Sequence, residues 1–395
     1  MQPLSATPST RYRSVDILRG LIMIIMALDH VRDFFHNSSI NPVDPAATYP
    51  ALFFTRWVTH FCAPGFLFLS GVSASIAGQR RTPTALSVFL AKRGCWLLVV
   101  EMAIMTLAIT FDPLYHLIIW QVIWAIGWSM IILALLQPLG RPVVAAVGFI
   151  LLLGHNITDL LTLPTAGGLG TFLRVALTSS GSIVQIGHQR FLDLYAVLPW
   201  TALMLLGFAC GQWCWNAGVQ VLTRQRRLLY MGLGALAFFV VLRAANGYGD
   251  PQPWSHQAEG WRTFLSFINV NKYPPSLAYS TLTVGALLVG LSLAERMNTA
   301  FTRFLEVYGK VPFFYYVLHF YLVHLLCTIA FFATGGTFAE GTSGNLLFAF
   351  RPADWGFSLG VVYAVWALVI ALLYWPCRRF GQYKATHRQW WLSYL

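Results

Sequence analysis

The chain predicts an all-α membrane protein: a bundle of about ten transmembrane helices, with both termini on the cytoplasmic side. Three observations lead there. Of 395 residues, 57% are hydrophobic and only 10% are charged, whereas soluble domains carry roughly 25% charge. The apolar residues gather into runs approaching the ~20 residues that cross a bilayer. The Lys and Arg residues between those runs alternate between crowded and sparse connections, as the positive-inside rule requires. Aromatic content agrees, since 15 Trp and 16 Tyr suit rings placed at two lipid–water interfaces.

The expected spans cover residues 15–35, 52–77, 87–110, 114–137, 142–154, 192–215, 228–243, 276–294, 311–333 and 355–375. The fifth and seventh are the shortest. Met1–Thr10 is polar and the first apolar run is long, so no cleavable signal peptide is expected. No tandem repeat is visible. Residues 1–395 are therefore expected to form one domain, with cytoplasmic tails at 1–14 and 377–395.

One set of connections holds Arg11, Arg13, Arg80, Arg81, Lys92, Arg93, Arg141, Arg224, Arg226 and Arg227, then Arg296, Arg303, Lys310, Arg378, Arg379, Lys384 and Arg388. The other holds Arg174, Arg190, Arg262, Lys272 and Arg351, spread over longer loops. The first set marks the cytoplasm, and an even number of spans returns the C-terminus to it. The net charge of +12 is thereby explained as orientation. It forms no compact basic domain, so a nucleic-acid partner is excluded. Three outer connections, residues 36–51, 155–191 and 244–275, are long and point to a substrate-facing surface. The six cysteines lie in or beside apolar runs and read as small core residues. No metal is expected, although Cys210 and Cys214 share a helical face.

Ionisable groups inside spans cost free energy unless paired or hydrated, so each is a functional candidate. The first span reads "SVDILRGLIMIIMALDHVRDFF". At 100° per residue Asp16, Arg19 and His30 share a stripe. Asp16 and Arg19 are spaced to pair directly, as a structural anchor or as a substrate contact. Asp29, His30, Arg32 and Asp33 crowd its outer end, where a carboxylate beside an imidazole is a way to orient a general base. The second span begins "TRWVTHFCAPGFLFLSG". Pro64 cannot donate to the carbonyl of His60, so a bend and a freed carbonyl are expected beside that histidine. Arg56 lies on the same face. In "YGKVPFFYYVLHFYLVHLL", His319 and His324 point about 140° apart, so at most one faces a shared pocket. Tyr315 and Tyr316 flank His319. Glu101 reads as a protonated structural carboxyl. Lys272 and Tyr273 precede two prolines at the outer interface, where a snorkelling lysine is the simple expectation. Histidines 30, 60, 116, 319 and 324 are expected to converge on mid-membrane and its outer half.

No nucleotide-binding, zinc-protease or serine-hydrolase motif is present. However, "SVDILRGLIMIIMALDHVRDFF", "RWVTHFCAPGFLFLSG", "NVNKYPPSL" and "YGKVPFFYYVLHFYLVH" together resemble a bacterial integral-membrane family of the transmembrane acyltransferase superfamily. That family is related to the catalytic domain of heparan-α-glucosaminide N-acetyltransferase. The resemblance spans nearly the whole chain. It implies transfer of an acetyl or acyl group from cytosolic acyl-CoA to a sugar on the far side of the membrane. The chain departs from the enzymes of that family at His30, where they carry Asn, and at His60, where they carry Asp. Their catalytic histidine lies in the first outer loop, where this chain has His36.

The expectations follow. Catalytic candidates are His30, His60 and Asp29, with an imidazole as the base for the acceptor. Substrate contacts are Lys272, Tyr273, His319, Arg56, Arg19 and Asp16, and an oxyanion would need such donors. Arg80, Arg81, Lys92 and Arg93 are placed at the CoA phosphates. Expected partners are membrane lipid, acetyl-CoA or another acyl-CoA, and a sugar or glycan acceptor, with a second copy of the chain as a candidate. The expected location is the bacterial inner membrane. The alternative is a transporter or flippase of a small polar or lipid-linked solute, since broken helices with midplane polar groups also suit transport.

Overall fold

A computed structural model describes residues 12–37, 40–343, 347–387 and 389–393. Arg11 and Arg388, used above for orientation, and the Met1–Thr10 tail, used for the signal-peptide expectation, lie outside the described residues. The architecture is an all-α polytopic bundle, and every expected span falls on a helix. In chain order the ten long helices are α1 (Arg13–Phe35), α2 (Pro50–Gly78), α3 (Pro83–Val100), α4 (Val122–Leu139) and α5 (Arg141–Leu160). They continue with α6 (Val197–Cys214), α7 (Val221–Ala245), α8 (Leu277–Ala294), α9 (Pro312–Ala333) and α10 (Leu359–Thr386). Among the described residues eight of these, α2 and α4 to α10, are long and apolar enough to cross a membrane. The other two differ in composition or continuity. α1 holds Asp16, Arg19, Asp29, Arg32 and Asp33, and α3 runs on through a π turn at Glu101–Met105 into Thr106–Thr110.

α1 is the hub. It packs against α2, α8, α9 and α10, and against a short helix at Ala300–Gly309. That last crossing is close: a Cβ on Gly20 would collide with the Leu305 carbonyl, and one on Gly309 with the Asp16 carbonyl. Small residues let backbones approach in this way where lipid supplies no hydrophobic drive for association. Around the hub, α2 packs on α6, α3 on α4, α5 on α6 and α7 on α8.

The sequence expectation of helix from residue 114 is corrected. Residues Leu117–Trp120 form strand β1, and α4 starts at Val122. The long connection before α6 is also structured. It holds a short helix at Gly167–Leu173 and strands β2 (Ser182–Ile186) and β3 (Gln189–Asp193). β3 lies between the other two, antiparallel to β2 and parallel to β1, with Leu117 opposite Arg190. The β-branched and aromatic residues of "LIIW" favour a strand once a partner is at hand, and no local signal announces a partner some 70 residues away.

The two ends of the bundle are internally consistent. At the end where α1 begins, Arg13 pairs with Glu306 at 2.6 Å, Arg224 with Glu295 at 2.5 Å, and Ser14 donates to Glu295. At the end where α1 finishes, Arg262 donates to the carbonyls of Pro45 and Ala46, and Arg351 to that of His36. We call these the basic end and the loop end.

Candidate functional site

Pro64 bends α2 as its chemistry requires. The helix tightens into a 3-10 turn at Val58–Phe61, and the freed carbonyl of His60 accepts the Tyr279 hydroxyl of α8 at 2.7 Å. The bend aims His60 and Arg56 into a polar chamber of about 380 Å³ at the loop end, together with Asn269, Asn271, Lys272 and Tyr273. Lys272 is only 7% exposed, with its ammonium 5.0 Å over the Tyr273 ring. It thus faces the chamber and does not snorkel outward. Asp250 holds this loop, accepting from the Asn271 backbone at 3.0 Å and the Ser276 hydroxyl at 2.8 Å. Burial raises its carboxyl above the usual range, against these hydrogen bonds.

Asp29, on the last turns of α1, is buried between two guanidiniums. Arg32 lies 3.0 Å away and Arg56 3.1 Å away, and Arg56 also donates to Thr59 at 2.8 Å. Asp29 is therefore the anion that fixes Arg56 at the chamber wall. Next to it, His30 Nδ1 lies 2.6 Å from His319 Nε2, with the two rings stacked. His319 Nδ1 meets the Tyr315 carbonyl at 3.1 Å. A carbonyl only accepts, so His319 carries its proton on Nδ1 and accepts on Nε2. His30 must then donate from Nδ1, which leaves its Nε2 with a lone pair. The same logic applies to His60, whose Nδ1 lies 2.9 Å from the Trp57 carbonyl. Both imidazoles are held in the tautomer a base needs.

A second chamber of about 390 Å³ opens at the basic end, lined by Asp16, Arg19, Ser73, Arg93, Lys310 and Lys384. A narrower extension of about 80 Å³ shares Arg19, Ser70 and Arg93 with it and reaches Tyr316. The Tyr316 ring is 5.5 Å from that of His319. One line of contacts thus joins the chambers: Tyr316, His319, His30 and, through the adjoining Asp29, Arg56.

The expected residues sort as follows. Arg56, His60, Lys272 and Tyr273 line the loop-end chamber, while Asp29, His30 and His319 stand behind it. Asp16 and Arg19 lie 3.8 Å apart at the other chamber, about 20 Å down α1 from Asp29, and so do not join His30. Of the four cations placed at CoA phosphates, Arg93 lines the basic-end chamber, whereas Arg80, Arg81 and Lys92 are exposed outside its lining. Sequence reasoning missed Lys310 and Lys384 there, having counted them only for orientation. Lys310, two residues before Pro312 at the start of α9, could have been placed on the chamber that α9 helps to build.

Two histidines leave the expected convergence. His116 is exposed and pairs with Asp112 at 2.9 Å. His324 is buried between the Phe34 and Phe111 rings and bonded to the Ala108 and Ala349 carbonyls, a packing role. His36 lines a neighbouring loop-end pocket with Arg32 and Arg351. Burial and those two guanidiniums lower its basicity. Glu101 is fully buried and accepts from the Gln121 backbone at 2.6 Å.

Residues 11–242 match the family model described as heparan-alpha-glucosaminide N-acetyltransferase, catalytic. No curated protein compared with the chain matches it.

Proposed function

The chain belongs to the heparan-α-glucosaminide N-acetyltransferase catalytic family, and from that premise we propose that it moves an acyl group through the membrane. The donor is cytosolic acetyl-CoA or another acyl-CoA, and the acceptor is a sugar or glycan on the periplasmic side of the bacterial inner membrane. The observation that carries this reading is the pair of polar chambers entered from opposite ends of α1 and linked by the His30–His319 pair.

The basic-end chamber suits the donor. Arg19, Arg93, Lys310 and Lys384 are the cations that phosphate and pyrophosphate require, and the extension toward Tyr316 gives the thioester arm a path inward. The loop-end chamber suits the acceptor, because amides, a hydroxyl and two cations recognise a polyol by hydrogen bonds. His60 Nε2 takes the proton as the acceptor amine or hydroxyl attacks the thioester carbonyl. The carbonyl oxygen gains charge beside the Lys272 ammonium. The carbon–sulfur bond then breaks, and CoA leaves as the thiol with the proton His60 collected. His30, paired with His319, stands between the two chambers and couples Tyr316 to the Asp29–Arg56 pair. Asp29 holds Arg56 and takes no proton.

Thermal melting of the purified protein with acetyl-CoA tests the donor. A ligand that binds only the folded state adds about 2.7 kcal/mol at a hundredfold excess over Kd, so the midpoint rises, and Arg93→Gln diminishes the rise. Acyl transfer to a labelled panel of amino sugars should fall by about 10²–10⁴-fold in His60→Ala with the melting point near that of the parent chain. A parent chain with no acetyl-CoA shift favours solute transport instead. Full turnover in His60→Ala removes His60 from the chemistry.

A further inference from the structure

Away from both polar chambers lies a cavity of about 540 Å³ between the α5–α6 pair and the α7–α8 pair. Each pair packs internally, and the cleft between the pairs is unfilled. Its walls are almost wholly apolar, with Phe149, Leu206, Phe238 and Val284 among them. Gly234 opens onto it, and a Cβ built there meets nothing within 4 Å. The volume falls within the roughly 300–1,000 Å³ of small-molecule sites. A water-soluble ligand would find little to hydrogen-bond, so the walls call for hydrocarbon.

One end of the cavity is different. Arg141 and Trp213 line it at the basic end. The Arg227 guanidinium sits 4.9 Å over the Trp213 ring and donates to the Trp213 carbonyl at 2.6 Å. Both arginines follow the connections that the positive-inside rule places at the cytoplasmic leaflet, where the anionic lipids are. Basic pockets between membrane helices on that side are suited to anionic headgroups, and a guanidinium is the preferred partner of a phosphate.

We propose that this cavity holds one acyl chain of an anionic phospholipid, its phosphate at Arg141 and Arg227, wedging α5–α6 against α7–α8. None of the residues used here belongs to either polar chamber, so the proposal stands apart from acyl transfer.

The test follows the melting of delipidated protein in detergent while phosphatidylglycerol or phosphatidylcholine of the same chain length is added. Phosphatidylglycerol is expected to raise the midpoint, half-saturating at a concentration roughly tenfold to thirtyfold lower, as two basic groups near the headgroup imply. Arg141→Gln should narrow that preference. Gly234→Trp, which fills the cleft, should abolish the phosphatidylglycerol shift while its lipid-free midpoint equals or exceeds that of the parent. Equal shifts by both lipids would overturn the proposal, as would an undiminished phosphatidylglycerol shift in Gly234→Trp. If the Trp variant does not fold, Gly234→Leu replaces it, with native mass spectrometry of bound lipid as the readout. Loss of the co-purifying phospholipid supports the proposal, and its retention at the parent level overturns it.

Discussion

Asp29 shows how far a single carboxylate organises its surroundings. It is 9% exposed and is bound by Arg32 and Arg56 from two helices. Removing one partner of a buried ion pair leaves an uncompensated charge and costs about 3–5 kcal/mol. Asp29→Ala is therefore expected to lower the melting point and to release Arg56 from the chamber wall. An unchanged melting point would show that the guanidiniums are satisfied without it. Asp193, at the end of β3, tests burial from the other side. Its Oδ2 has no hydrogen-bond partner among the described residues, and burial pushes the carboxyl from 3.8 up to about 6. The folded chain thus holds a proton that the unfolded chain has already released. Stability from this group declines as pH rises from about 4 to 6 and stays low above that, by about 3 kcal/mol. Asp193→Asn should raise the melting point at pH 7.5 and have little effect at pH 4. An equal effect at both values would exclude the titration as its cause.

Among the elements, the crossing of α1 and the Ala300–Gly309 helix is the narrowest constraint. Gly20 sits one residue beyond Arg19, so the crossing also sets where Arg19 and Lys310 meet the basic-end chamber. Gly20→Val forces the backbones apart, and overpacking of this kind costs about 1–3 kcal/mol. The expected result is a lower melting point together with a weakened acetyl-CoA shift, whereas an exposed glycine such as Gly168 should tolerate the same change. The Pro64 bend in α2 was readable from the sequence, because a missing N–H has a local consequence. The partner of the freed His60 carbonyl was not, since Tyr279 lies 219 positions away. β1 escaped notice for the same reason: its apolar run reads equally as helix until β3 is beside it.

At the scale of the whole chain, the positive-inside rule predicts which reagents reach which loops. A membrane-impermeant maleimide should label Ala258→Cys in intact cells, and Ala217→Cys only after permeabilisation, each measured above the background of the unsubstituted chain. Reversed labelling would invert the chambers and with them the proposed direction of acyl transfer. The helical architecture and the span positions were legible in advance because satisfying a backbone in lipid is a local requirement. An apolar run of sufficient length meets it by hydrogen-bonding to itself. The meeting of His30 with His319, 289 positions apart, the division of the polar groups into two chambers, and the exposure of Arg80 and Lys92 have no such local cause. They follow from how the helices pack on one another: α1 among α2, α8, α9 and α10, and α3 against α4. Helix periodicity gives the direction of a side chain about its own axis, and only the packed bundle gives that direction a destination.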